Sequence, residues 1–143
     1  MNLELALTKS CTNMDCLVKL LNSGDDIEAK YSALVHNRIK IQPQQLVAID
    51  TNLQIPEIIW RWISAIVIEV NENSVGIQGG TGKTDFASRV AILPLNLSIG
   101  DEVWFCKTDQ DLEVHDLSID GEPVHPQQLL EYITPIIERV YAT

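Results

Sequence analysis

The sequence predicts a mainly β protein of the α+β class, a small SH3-like or OB-like β-barrel with a helical N-terminal lead-in and a C-terminal amphipathic helix. Residues 58–79 are the most apolar stretch and are punctuated like two paired strands, and the chain closes on apolar residues at helical spacing. We expect one domain overall, in which residues 1–37 are mostly helical, residues 38–122 form the barrel and residues 123–143 form the closing helix.

Composition narrows the function classes. The 143 residues are 45% apolar, which is enough for a core, and 20 acidic against 10 basic residues give a net charge of −10. That charge disfavours nucleic acid and anionic membranes as partners. The N-terminus lacks the pattern of a signal peptide and no apolar run is long enough to span a membrane, so we expect a cytoplasmic protein. Three cysteines, an odd number, predict reduced thiols.

The N-terminal segment shows helical signals. Apolar residues recur at helical spacing over residues 17–21, residues 12–13 offer a cap, and Gly24 would end the helix. Acids at the start of residues 25–36 favour a second helix there. A strand over residues 31–35 is the alternative.

The barrel begins with extended pieces at residues 39–42 and 46–50, which Pro43 separates. The central hairpin follows. Residues 60–70 are apolar on both period-2 faces at their centre and rich in β-branched and aromatic side chains, and residues 71–74 favour a turn into a returning strand over residues 75–78. Pro56 and its following acid also permit a helical turn before the hairpin.

Three more strands are predicted downstream, over residues 86–93, 102–107 and 112–115. The final helix, residues 126–141, carries a six-residue apolar stripe. Pro135 opposes it by about 3 kcal/mol in a helix interior, so we expect a kinked or two-piece helix docked on the barrel or on a second subunit.

The segment QGGTGKT resembles the second half of a phosphate-binding P-loop, in the variant found in ParA-type ATPases. The resemblance implies backbone N–H groups and side chains on phosphate and magnesium from Gly79, Gly80, Gly82, Lys83 and Thr84. The pattern is incomplete, because Ile77 stands where the first glycine belongs and Gln78 where the variant has lysine. The residues after Thr84 also favour a strand, so the sequence predicts a hairpin loop and no cofactor.

Residues 101–122 hold eight acids and one base. We expect a solvated strand face, with a docking surface for a basic protein partner as the alternative. The acids at 109, 111 and 113 mimic a calcium loop, but valine stands where that loop needs glycine. The candidate partner-binding residues, from this segment and the helical stripe, are Asp109, Asp111, Glu113, Leu129, Ile133 and Ile137.

The cysteines suggest zinc without completing a site. Cys11 and Cys16 could join Cys106 and either His115 or His125, but structural zinc normally uses two close ligand pairs and the second pair is missing. We therefore expect no metal. Cys106 stands next to aromatic residues and is predicted to be buried, which disfavours a nucleophilic thiolate.

No catalytic residues emerge from these patterns. The sequence predicts a non-enzymatic interaction module that binds a protein partner or self-associates, with a homodimer as one possibility. The alternative is a ligand- or nucleotide-binding protein that uses the glycine-rich loop. Nucleic-acid binding through an OB-like face is disfavoured by charge, since only Arg38, Lys40 and Arg61 could form a basic cluster.

Overall fold

A computed structural model describes residues 1–32, 41–79, 82–90, 96–108, 111–119 and 122–142. The fold is mainly β, which confirms the predicted class. The chain divides into two compact units, Met1–Arg61 and Trp62–Thr143. This boundary lies within residues 38–122, so the strands expected to form one barrel are shared between two units.

The first unit contains five strands, β1 (Leu3–Cys11), β2 (Asp15–Leu20), β3 (Asp26–Tyr31), β4 (Leu46–Asp50) and β5 (Glu57–Arg61). They form a closed barrel in the order β1-β2-β3-β5-β4. The start of β1 pairs with β4 and its later part with β2, while β3 and β5 pair in parallel. Side chains from all five strands fill the barrel core, among them Ala6, Val18, Ala29, Val47 and Ile58.

The prediction of a helical N-terminal segment is wrong, because residues 3–31 form three strands. In β2, Cys16, Val18 and Leu20 are buried and alternate with half-exposed neighbours. Leu17 is one of these half-exposed residues. Because it is apolar although it lies on the outer face, it hides the period-2 alternation and makes the sequence look helical. Residues 33–36 of the predicted second helix lie outside the described residues.

The supposed helix caps are turn residues. The hydroxyl of Thr12 accepts hydrogen bonds from the backbone N–H groups of Met14 and Asp15, which closes the β1–β2 hairpin. Gly24 has a φ of 78° and turns the chain between β2 and β3. Short hydroxyl side chains bond nearby backbone N–H groups in turns as they do at helix starts, so the two signals are alike in sequence.

The second unit contains β6 (Ile63–Val70), β7 (Ser74–Gln78), β8 (Thr84–Arg89), β9 (Glu102–Lys107), β10 (Leu112–Ile119), β11 (Glu122–Pro123) and the helix α1 (Pro126–Tyr141). The sheet order is β11-β10-β8-β7-β6-β9. Because β10 also pairs with β9, the five strands from β6 through β10 close into a ring. Its core includes Ala65, Val67, Val75, Val103 and Val114.

The two units have the same connectivity. In each, the first strand pairs with the second and the fourth, the fourth pairs with the fifth, and the third and fifth are parallel. The chain therefore carries the same five-strand arrangement twice, once in β1–β5 and once in β6–β10.

The central hairpin is confirmed as β6 and β7. The strand predicted over residues 60–70 is interrupted at Trp62, since β5 pairs within the first unit and β6 within the second. The alternative of a helical turn at residues 56–60 is wrong, because β5 occupies most of it. Of the two pieces expected around Pro43, β4 is present, residues 41–42 are not in a strand, and residues 39–40 lie outside the described part.

The strand at residues 102–107 is confirmed as β9, and β10 extends further than the predicted residues 112–115. The strand expected at residues 86–93 is β8, which ends at Arg89, and residues 91–93 are not described. The final helix is one element that passes through Pro135, so the two-piece alternative is wrong. Among the described residues, no helix combines the length and apolar character needed to cross a bilayer.

Candidate functional site

Three side chains of potential chemical use meet on the paired strands β9 and β10. Cys106 is the register partner of Glu113, and His115 follows two residues later on the same face of β10. Val114, which lies between them, points to the opposite face and into the core of the second unit. Strand alternation thus gathers the three side chains on the face opposite that core.

The Cys106 sulfur and a Glu113 carboxylate oxygen both approach the same ring nitrogen of His115. The Sγ of Cys106 lies 3.6 Å from the Nε2 of His115, and the Oε2 of Glu113 lies 3.3 Å from the same Nε2. All three atoms lie within 4.8 Å of one another. His115 is fully buried and Cys106 is buried, while the Glu113 side chain is 16% exposed and forms the accessible side of the cluster.

Helix α1 contributes Tyr132 to this cluster. Its hydroxyl donates to the two carboxylate oxygens of Glu113, at 3.2 and 3.4 Å. Its ring contacts the His115 imidazole edge-on, as does the ring of Trp62, with centroid separations of 5.5 and 6.2 Å. Burial, reinforced by the charge of Glu113, raises the pKa of Tyr132, which favours the protonated hydroxyl as a donor.

The arrangement does not match a nucleophilic triad. In a triad the histidine uses one ring nitrogen for the nucleophile and the other for the orienting acid. Here the thiol and the carboxylate both face Nε2, and the buried Nδ1 has no hydrogen-bond partner among the described residues. The Glu113 carboxylate therefore lies at the same nitrogen as the thiol, whereas the acid of a triad orients the imidazole from the other nitrogen.

A second feature of this unit is an exposed apolar patch on the outer face of β6, β7 and β8. Phe86 is 54% exposed and Ile66 is 43% exposed. Phe86 is the register partner of Gly76 on β7, whose other partner is Glu69 on β6. A Cβ at Gly76 would lie 3.3 Å from the Phe86 ring and 3.5 Å from Ile68, so the glycine lets both side chains cover the strand. We name this set of residues, Ile66, Ile68, Gly76 and Phe86, the outer patch.

The glycine-rich loop joins two strands, as predicted. Gln78 at the end of β7 is the register partner of Thr84 at the start of β8. Gly82 has a φ of 80° and its N–H donates to the carbonyl of Gly79. Lys83 is exposed, and Gly80 lies outside the described residues. A P-loop requires a helix after its threonine, and here Thr84 begins β8.

The predicted partner-binding residues do not form one exposed surface. Asp111 accepts hydrogen bonds from the Ser88 hydroxyl and the Leu112 N–H, which lower its pKa. Glu113 is half-buried beside Cys106 and His115, and Asp109 lies outside the described residues. The stripe residues Leu129, Ile133 and Ile137 are fully buried in the single chain. Their burial favours docking within the chain over docking on a second subunit.

The zinc candidates separate into two groups. Cys11 and Cys16 are register partners across the β1–β2 hairpin and form a disulfide, so the expectation of three reduced thiols is wrong for this pair. Cys106 and His115 do meet, and their companion is Glu113, while His125 is not part of that group. The sequence shows that residues 113 and 115 share one face of a strand. It does not show the register between β9 and β10, which brings Cys106 to that face.

No protein-family model matches this chain, and no curated protein matches its sequence significantly. The geometry of the cluster and of the outer patch is therefore the basis for assigning function.

Proposed function

We propose that this protein is a non-enzymatic binding module built from two OB-like barrels, and that it binds a protein partner through the outer patch. The exposure of Phe86 on β8, over Gly76, is the observation that carries the proposal. The lack of triad geometry around Cys106 supports the non-enzymatic part.

The OB-like assignment is supported by connectivity. A five-strand ring in the order first, second, third, fifth, fourth, with a parallel pair of third and fifth strands, is typical of this barrel type. OB-type barrels bind ligands on the face of their second and third strands. In the second unit those strands are β7 and β8, which carry Gly76 and Phe86 of the outer patch.

Charge indicates the chemistry of the partner. Glu69 is exposed beside Gly76 and takes part in no ion pair among the described residues. A net charge of −10 gives the whole chain a negative field that repels phosphate backbones and attracts cations. These features fit a peptide segment in which an apolar side chain packs on Phe86 and a lysine or arginine pairs with Glu69.

The test is a binding screen with the purified protein. A library of apolar-basic peptides is measured by fluorescence polarisation, with single-stranded DNA and a neutral oligosaccharide as further probes. We expect peptide binding that Phe86→Ser weakens by about 10-fold or more, because central aromatic contacts dominate interfaces. The matched control is Ile99→Ser, since Ile99 is 72% exposed in a turn of the same unit.

The outcomes separate the alternatives. Binding of DNA or oligosaccharide in place of peptide would overturn the proposal that the partner is a protein. If Phe86→Ser binds the peptide as well as the unmodified chain does, the outer patch is not the binding site. Self-association is measured as mass in solution over a concentration series. If a second copy is the partner, the dimer should dissociate in Phe86→Ser and persist in Ile99→Ser.

A further inference from the structure

We propose that Cys106, Glu113 and His115 form a metal site for a zinc-type divalent cation, with Tyr132 positioning the Glu113 carboxylate. The site lies in the second unit between β9, β10 and α1. It is independent of the outer patch, which lies on β6, β7 and β8.

The ligand set suits zinc. Thiolate, imidazole and carboxylate are its usual protein ligands, and three of them leave a fourth position for water or another ligand. Zinc bonds are about 2.3 Å long to sulfur and about 2.0–2.1 Å long to nitrogen and oxygen. In a tetrahedral site these bond lengths put the sulfur and nitrogen ligand atoms about 3.5 Å apart, and the nitrogen and oxygen ligand atoms about 3.3 Å apart. The structure has 3.6 Å from Cys106 Sγ to His115 Nε2 and 3.3 Å from that nitrogen to Glu113 Oε2.

A shared cation also resolves the competition at Nε2. Without one, the thiol of Cys106 and the carboxylate of Glu113 face the same ring nitrogen, and a proton on that nitrogen can be donated to only one of them. With a cation, the Nε2 lone pair, the thiolate and the carboxylate all act as donors to one centre. The deprotonated thiol that a metal requires is then paired with positive charge in a buried place.

Tyr132 supports the Glu113 ligand from helix α1. Ligating carboxylates are commonly held by an outer hydrogen bond, and the Tyr132 hydroxyl supplies one to Glu113. Trp62 and Tyr132 hold the imidazole from two directions. The Glu113 side chain is 16% exposed, so the cluster is accessible to a cation from its side.

The experiment loads chelator-stripped protein with Zn²⁺ or Co²⁺ alone. We expect one ion per chain by calorimetry, a raised melting temperature, and a thiolate-to-cobalt charge-transfer band. Cys106→Ser and His115→Gln should abolish binding, and Glu113→Gln should weaken it by at least about 10-fold. Tyr132→Phe should weaken it by about 10-fold while the cobalt band is retained, since it removes an outer partner.

Two controls make the result decisive. The double variant Cys11→Ser and Cys16→Ser and the single variant His125→Ala should bind as the unmodified chain does, which excludes these cysteines and this histidine as ligands. If Cys106→Ser or His115→Gln fails to fold, Glu113→Gln decides, because that residue is only half-buried. The absence of 1:1 binding, or unchanged affinity in Glu113→Gln, would overturn the site.

Discussion

Phe86 lies over Gly76, its register partner on the neighbouring strand, so closely that a side chain at Gly76 would require its neighbours to shift. A Cβ on Gly76 would come 3.0 Å from the Cβ of Glu69 and 3.3 Å from the Phe86 ring. Gly76→Val should destabilise the second unit by about 1–3 kcal/mol, because adding atoms to a packed place forces neighbours to shift. Urea unfolding checks this. Gly79→Ala is the control, since a Cβ there meets no atom of the described residues within 4 Å. An equal effect at both positions would show that packing around Gly76 is not the cause.

Ser88 and Asp111 link β8 to the start of β10. The Ser88 hydroxyl donates to the carboxylate at 2.5 Å and is the first cause of the lowered pKa of Asp111. A lowered folded-state pKa stabilises the protein at pH values above the ordinary pKa of aspartate. This contribution is lost as the pH falls through the folded-state pKa. Ser88→Ala should raise the Asp111 pKa and flatten the acid-side loss of stability. An NMR titration of the carboxyl carbons checks this, and an unmoved Asp111 titration would contradict it.

Ionisation of Tyr31 should lower the stability of the protein at high pH. Its hydroxyl donates to the Thr12 carbonyl at 2.7 Å, and burial together with the charge of Asp15 raises its pKa. The ionised form is disfavoured in the folded state, so stability should fall as pH rises from about 10 towards the higher folded-state value. Tyr31→Phe should remove that dependence while losing about 0.5–1.5 kcal/mol at neutral pH with the hydrogen bond. Urea unfolding at pH 7 to 11 tests both, and a pH dependence that persists in Tyr31→Phe would assign it to another group.

The Cys11–Cys16 disulfide should stabilise the first unit by closing a short loop. Loop-closure entropy for so few residues corresponds to about 2 kcal/mol. Reduction with dithiothreitol should lower the unfolding midpoint accordingly. The same reductant should have no effect on the double variant Cys11→Ser and Cys16→Ser, and an equal shift in that variant would show that the disulfide is not the cause.

The glycine-rich loop should not bind nucleotide. Thr84 begins β8, so the backbone N–H groups of a helix start are absent beyond Lys83 in the described structure. Saturating ATP with magnesium should leave the melting temperature unchanged in a thermal shift assay. A rise of several degrees that Lys83→Ala removes would contradict this and would restore the nucleotide-binding alternative.

Local patterns predicted the second unit better than the first. The β6–β7 hairpin, β9 and the final helix carry period and punctuation in their own residues, so they could be found without knowing their neighbours. In β2, Leu17 on the outer face imitates a helical spacing, and only pairing with β1 and β3 settles the strand. Thr12 and Gly24 fit a turn as well as a helix boundary, since both use the same backbone chemistry.

By itself, the sequence determined that this chain is mainly β and strongly acidic, and that its glycine-rich segment links two strands, because composition and period-2 alternation are local properties. Only the tertiary structure decided that there are two units with one connectivity. It alone brought Cys106 to Glu113 and His115, and laid Phe86 over Gly76. The physical reason is that strand register and ring closure arise from hydrogen bonds between segments far apart in the chain, which no local pattern encodes.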